Sequence, residues 1–258
     1  MVKGVAVKLK SYEETVPKLL KVIKFDEELK KHERIVLKVN LSGEVEECTN
    51  AEFAEQVIKF CMQNKNPGTE IFVAEGCDGK ETADAYNELG YSDLSEKYGI
   101  GLVDLNNSEV ESIENPEFLK FEEIRYPQIL QDSFVISLAQ LTDHLENGIS
   151  ASLDNMVGAF PAKHYSSFFS NSKNKIKKHK TKYQIHDILK CKMPDFAMIY
   201  SPEKNLLFAG QPLEMDKQAA KSLGFEWQNL EHLKLVEESF SEKKKDEVDV
   251  DKLIGISS

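Results

Sequence analysis

Strand-like runs and amphipathic helical stretches alternate through the first hundred residues, and that alternation leaves few architectures open. Gly4–Leu9 (GVAVKL), Arg34–Val39 (RIVLKV), Glu70–Ala74 (EIFVA) and Gly101–Asp104 (GLVD) are short apolar runs of strand type. Between the first two, Ser11-x-x-Glu14 reads as a capping box opening a helix with Val16, Leu19, Leu20 and Ile23 on one face. Thr49-x-x-Glu52 reads as a second box, opening a helix with Phe53, Val57, Ile58 and Cys61 on its apolar side. Asn66-Pro67-Gly68 is a turn, and Glu81–Gly90 and Asp93–Tyr98 have helical spacing. Strands separated by helices pair in parallel and need helices over their faces.

The second half is less regular. Glu117–Arg125 reads as a strand with charged edges, and Phe134–Leu138, Phe196–Tyr200 and Leu206–Ala209 as clear strands. Helices are predicted around Ile185–Lys190, at Pro212–Leu223 and at Asn229–Glu237. The last stretch begins with a charged linker, SEKKKDE, and ends in an alternating VDVDKLIGIS of edge-strand type. The expected fold is α/β, a mostly parallel or mixed sheet flanked by helices, Rossmann-like in its first half. No flexible linker divides the chain, so residues 1–258 read as one two-lobed domain, with the lobes meeting near residue 115.

Composition narrows the function. The longest apolar runs, such as Ile71–Ala74 and Phe134–Ile136, fall far short of the roughly 20 residues of a membrane span. The opening MVKGVAVKLK is broken by lysines and does not read as a secretion signal, so a soluble, cytoplasmic protein is expected. A net charge of −11 argues against nucleic acid, whose affinity comes from phosphate neutralisation. One stretch opposes that balance: Ser172–Lys182 (SKNKIKKHKTK) carries six lysines and a histidine. It reads either as a solvated charge run or as an anion-attracting rim beside a site. The four cysteines are isolated, with no C-x-x-C, so no intrinsic iron–sulfur cluster is expected.

Three early strands end alike: the second runs into Asn40, the third into Glu75-Gly76, and the fourth into Asp104, Asn106 and Asn107. In a parallel sheet these positions share one edge, and ligands of such folds bind beyond the carboxyl ends of the strands. Each residue alone is equally a turn former. After the strand at Phe134–Leu138 comes LTDHLENGISASLDNMVGAFPAKHY (Leu141–Tyr165), too rich in Gly, Ser, Asn and Asp for a helix and too apolar for a linker. It should emerge at the same edge, carrying Asp143, His144, Asn155, Gly158, Lys163 and His164. A histidine near carboxylates is a candidate general base or metal ligand, with a structural histidine as the alternative. His186 and Asp216, the latter near a helix start, are further candidates for ligand contact.

Assembled in order, these segments resemble the family catalogued as domain of unknown function 362. The resemblance rests on KVNL (Lys38–Leu41), Glu75-Gly76, Gly90-Tyr91, KYGIGLVDLN (Lys97–Asn106) and AGQPLEMDKQAAKSLGF (Ala209–Phe225). It covers nearly the whole chain, and it departs at two family motifs. The l-K-t-H motif is here Leu141-Thr142-Asp143-His144, and the K-N-x-x-G motif is Asp154-Asn155-Met156-Val157-Gly158. Both lysines are replaced, one by Thr142 and one by Asp154. If they hold an anion in relatives, Lys163 or the Lys-rich stretch would have to substitute, or a divalent metal would have to bridge Asp143, His144 and Asp154. Many relatives are described as iron–sulfur proteins through a separate cysteine cluster, which this chain lacks.

Two classes of function follow. In the first, a small anionic metabolite, with or without a divalent metal, binds in the strand-end cleft. His144 and Asp143 would be catalytic, and Asn40, Glu75, Gly76, Asp104, Asn106, Asn155, Gly158, Lys163, His186 and Asp216 would position the ligand. In the second, the same cleft is degenerate, and the chain is a non-catalytic binding or interaction protein. A redox role beside a partner iron–sulfur protein is a third expectation.

Overall fold

The computed structural model describes residues 4–144, 147–168 and 170–240. Seven strands form one sheet: β1 (Gly4–Lys8), β2 (Arg34–Val39), β3 (Glu70–Glu75), β4 (Gly101–Asp104), β7 (Phe134–Gln140), β10 (Phe196–Ser201) and β11 (Leu206–Gly210). Two short antiparallel pairs lie apart from it, β5 (Val110–Glu114) with β6 (Glu123–Pro127), and β8 (Thr142–His144) with β9 (Gly148–Ser150). The sheet order is β1-β11-β10-β7-β2-β3-β4. From β10 to β4 every pair is parallel, and β11 runs against both of its neighbours. The expected mostly parallel α/β sheet is therefore present, and its central strands come from both halves of the chain.

Alternation of side chains along the strands splits the core into two layers. Ile35, Leu37 and Val39 of β2 face one layer, with Ile71, Val73, Ile136 and Leu138 from its neighbours. Helices α1 (Tyr12–Val22), α2 (Phe25–Leu29), α3 (Ala51–Asn64), α4 (Thr82–Glu88) and α5 (Tyr91–Tyr98) cover that side. Val36, Ala74, Val135 and Ile199 face the other layer. It is closed by α8 (Thr181–Cys191), α9 (Pro212–Ser222), the helical residues 231–240 and much of residues 149–165, with α6 (Gln128–Gln131) and α7 (Ala162–Tyr165) at its margin. Among the described residues, no helix is long and apolar enough to cross a membrane.

Two local expectations are corrected. Ser11 does cap α1, accepting from the Glu14 amide, but Thr49 does not cap α3. Asn50 takes that role, accepting from the amides of Glu52 and Phe53. Thr49 is drawn elsewhere: its hydroxyl accepts from the Asn40 amide at 2.9 Å and donates to the Leu138 carbonyl at 2.8 Å. The strand expected at Glu117–Arg125 begins only at Glu123, because the amides of Leu119, Lys120 and Phe121 bond to the Asp187 carboxylate instead of a strand partner. Within the segment after β7, β8 and β9 form a hairpin. The charged linker and edge strand expected at the end of the chain lie outside the described residues.

Chain order along the sheet reverses between β2 and β7. From β2 the chain moves outward through β3 to β4, then returns to β7 on the opposite side of β2. At such a switch point the connections leave in opposite directions and open a crevice beyond the strand ends. Thr49 ties the two strands together there. Thr49→Val keeps the shape and leaves buried backbone groups unpaired, so it is expected to cost about 1–3 kcal/mol in a urea-unfolding measurement. An unchanged midpoint would show that the tie does not matter.

Candidate functional site

Lys38 sits in the middle of the sheet, opposite Ala74 of β3 and Ser137 of β7, on the same strand face as Val36. Its side chain is fully buried. An ammonium there must have its charge and its protons matched, or burial would cost several kcal/mol. All three needs are met. Lys38 Nζ donates to Glu75 Oε2 at 2.5 Å, to Asn155 Oδ1 at 2.9 Å and to the Val39 carbonyl at 2.7 Å. Asn155 returns the contact, donating from Nδ2 to the Lys38 carbonyl at 2.8 Å and to Ser137 Oγ at 3.0 Å. Glu75 is 1% exposed, so the pair is closed off from water.

Two glycines make this closeness possible. A Cβ on Gly158 would lie 2.7 Å from Lys38 Nζ, and one on Gly76 would lie 2.6 Å from the Gly158 carbonyl oxygen. A side chain at 76 would push the two loops apart, and one at 158 would press on the ion pair itself. Their carbonyls instead converge on a second lysine: Lys173 Nζ donates to Gly76 O at 2.5 Å and to Gly158 O at 2.9 Å. The Lys173 amide also bonds Asp78 Oδ1, at 2.8 Å. Lys173 is 2% exposed, and burial pushes its ammonium down to about 8; Glu75 favours the charge and Lys38 opposes it.

Above these groups lies a cavity of about 310 Å³ at the switch point. The end of β2 supplies Asn40, Ser42, Gly43 and Glu47, and the end of β3 supplies Glu75, Gly76 and Asp78. The β8–β9 hairpin supplies Thr142, Asp143, His144 and Ser150, and the helical turn after it Asp154, Asn155, Val157 and Gly158. Lys173 and Lys177 close it from the Lys-rich stretch, where Lys177 pairs with Asp78 at 2.7 Å. His144 Nδ1 accepts from the Asn147 amide at 3.2 Å. In the neutral ring that bond leaves the hydrogen on Nε2, which makes His144 a hydrogen-bond donor from that atom.

Of the residues singled out from sequence, Asn40, Glu75, Gly76, Asp143, His144, Asn155 and Gly158 come together around this cavity. Five others lie apart from it. Asp104 accepts from the Asn106 amide and the Asn107 side chain, shaping its own turn. Asn106 is a strut, donating to the Cys77 carbonyl at 2.8 Å and accepting from the Ala162 amide at 2.9 Å. Lys163 is exposed. His186 Nδ1 meets Asp187 at 2.6 Å and its Nε2 meets Ser239 Oγ at 3.0 Å, which fastens the last described helix to α8. Asp216 is buried beneath the segment after β9, accepting from the amides of Ser152 and Leu153 and from the Ser152 hydroxyl. Burial pushes its carboxyl up to about 7 against those three donors. As for the metal bridge, Asp143, His144 and Asp154 all line the cavity, yet among the described residues no group of three or more such side chains is placed to hold an ion.

Sequence reasoning missed Lys38 and Lys173. The signal for Lys38 was present: a charge inside a strand buried on both faces demands a counter-ion, and the next strand ends in Glu75. For Lys173 the signal was only collective: the Lys-rich stretch read as a solvated run or an anion-attracting rim, and nothing in it marks which lysine turns inward.

The arrangement defines a class: an α/β protein with a polar cavity at the sheet's switch point and a buried ionic floor. The family model described as domain of unknown function (DUF362) matches residues 35–225, and the chain belongs to that family. No curated protein matches the chain.

The floor can be tested by stability. Lys38→Met strands Glu75 in an apolar interior and is expected to cost about 3–5 kcal/mol. Adding Glu75→Leu removes the stranded charge and should recover much of that loss. Equal stability of the single and double variants, by urea titration, would show that the pairing is not what the interior depends on.

Proposed function

We propose that the cavity binds a small, singly charged organic anion, with hydroxyl or other hydrogen-donating groups at its far end. The observation that carries this reading is the charge of the floor: two buried ammonium groups, Lys38 and Lys173, against one buried carboxylate, Glu75. Lys38 spends its three hydrogens on protein acceptors. Lys173 spends two on carbonyls, and its third is left for a ligand in the cavity that it lines. Near pH 7 a group that titrates at about 8 is mostly charged. In a site shielded from water, one such charge attracts an anion far more strongly than a surface lysine does.

The rim sets the opposite sign. Glu47 and Asp143 line the cavity, while Asp78 is paired with Lys177. A second or third negative charge on the ligand would face these carboxylates, so di- and triphosphates are disfavoured. Hydroxyl groups would find acceptors there. The volume, at the low end of ordinary ligand sites, fits a small metabolite. His144 also lines the cavity and can offer a hydrogen bond to such a ligand.

A thermal-shift titration tests this reading. Hydroxylated monocarboxylates are expected to raise the unfolding midpoint, with about 2.7 kcal/mol of stabilisation at a hundredfold excess over Kd. Inorganic triphosphate is expected to do nothing. Lys173→Met should abolish the shift, and its ligand-free midpoint reports whether it still folds. A shift that survives Lys173→Met in a folded variant, or one produced by polyanions alone, would overturn the proposal.

A further inference from the structure

We infer that Lys173 is a reactive amine that condenses with the carbonyl group of a small oxo acid to form an imine. This deepens the anion-binding reading and rests on it, since the same cavity must first hold the acid.

The argument is one of directions around a nitrogen. An amine nitrogen has four tetrahedral positions, and in Lys173 the side-chain carbon takes one. Gly76 O and Gly158 O, at 2.5 and 2.9 Å, take two more. Both carbonyls accept hydrogen, so in the neutral amine they engage both of its hydrogens. The lone pair then has a single direction left. A surface lysine rotates freely and has no such orientation; here two carbonyls hold the nucleophile in place.

The surroundings agree. The nitrogen is removed from water, in a side chain that is 2% exposed yet lines the cavity. Burial opposes its charge most; Glu75 and Asp78 favour the charge and Lys38 opposes it, and burial prevails, so a substantial neutral fraction exists at mildly alkaline pH. Desolvation beside a second cation is a recognised way to make a lysine nucleophilic near neutrality. The carbonyls that orient Lys173 belong to the two glycines whose missing side chains let these loops meet.

The step balances without a redox partner. The lone pair adds to the carbonyl carbon, a C–N bond forms, and the π electrons pass to oxygen. Loss of that oxygen as water breaks the C–O bond. It leaves with two hydrogens, one from the nitrogen and one from solvent, and the product is a protonated imine. The carboxylate of the bound acid then lies beside a fixed positive charge.

Trapping tests the inference. Wild-type protein is incubated with glyoxylate or pyruvate and reduced with cyanoborohydride, and the peptides are mapped by mass spectrometry. The expected result is a reduced adduct concentrated on Lys173. Its rate should rise with pH through about 8 and then level, whereas surface lysines keep gaining towards their ordinary 10.5. Thermal shifts with the same acids, without reductant, run in parallel. A shift with labelling spread over surface lysines and Lys173 bare would overturn the imine and leave the anion site standing. Neither shift nor adduct would overturn both. Lys173→Arg, which keeps the charge and loses the nucleophile, should bind the acids and form no adduct there.

Discussion

A lysine buried at the centre of a parallel sheet governs how the upper edge of this protein is built. Lys38 points into the layer that holds Val36, Val135 and Ala74, where an unmatched ammonium could not stay. Its three acceptors come from β2 itself, from the end of β3 and from the turn after β9. Each must arrive at one point, so the ion pair fixes the relative positions of three chain segments. The glycines at 76 and 158 follow from it, because a side chain at 158 would crowd the pair and one at 76 would meet the backbone of 158. Replacing such a pair by apolar side chains often leaves a fold equally stable. Its presence here is therefore better explained by what it positions than by what it stabilises.

The sheet itself was legible. Arg34–Val39, Glu70–Glu75 and Gly101–Asp104 announce themselves by length and apolar content, and their spacing by helices dictates parallel pairing. The edge on which Asn40, Glu75 and His144 gather followed from that topology alone. What escaped were contacts between residues far apart in the chain. Thr49 looked like a helix cap because its sequence neighbours fit one, and only the approach of Leu138 gives its hydroxyl a better partner. Asp104, Asn106 and Asp216 looked like ligand residues because polar groups at strand ends and helix starts serve ligands and backbone alike. In the fold they are claimed by backbone amides, carbonyls and neighbouring side chains. His186 likewise is held between Asp187 and Ser239.

The two substituted motif positions are instructive for the same reason. Thr142 and Asp154 both line the cavity, so the residues that replaced the family's lysines stand where the lysines would have stood. Of the substitutes the sequence offered, Lys163 stays on the surface, while Lys173 from the Lys-rich stretch enters the cavity. A cation has thus returned to this edge by another route. It comes with Asp143 and Asp154 beside it, where the family motifs carry threonine and lysine.

The route matters for how the site works. Lys38 and Glu75 are carried on strands, but Lys173 is carried on a loop, and a loop must be docked to deliver its side chain. Its docking contacts near the cavity include the Lys173 amide on Asp78, the Lys177–Asp78 pair, the Gly79 amide on the Asn171 carbonyl, and the two carbonyls that receive Nζ, while Ile176 anchors the stretch in the core. Asp78 anchors two of them, so the loop after β3 and the Lys-rich stretch order one another. A ligand that meets Lys173 adds one more contact to the docked arrangement and none to the undocked one. Ligand contact at Lys173 and the order of this loop are linked to the extent that such a ligand distinguishes the docked arrangement from any other.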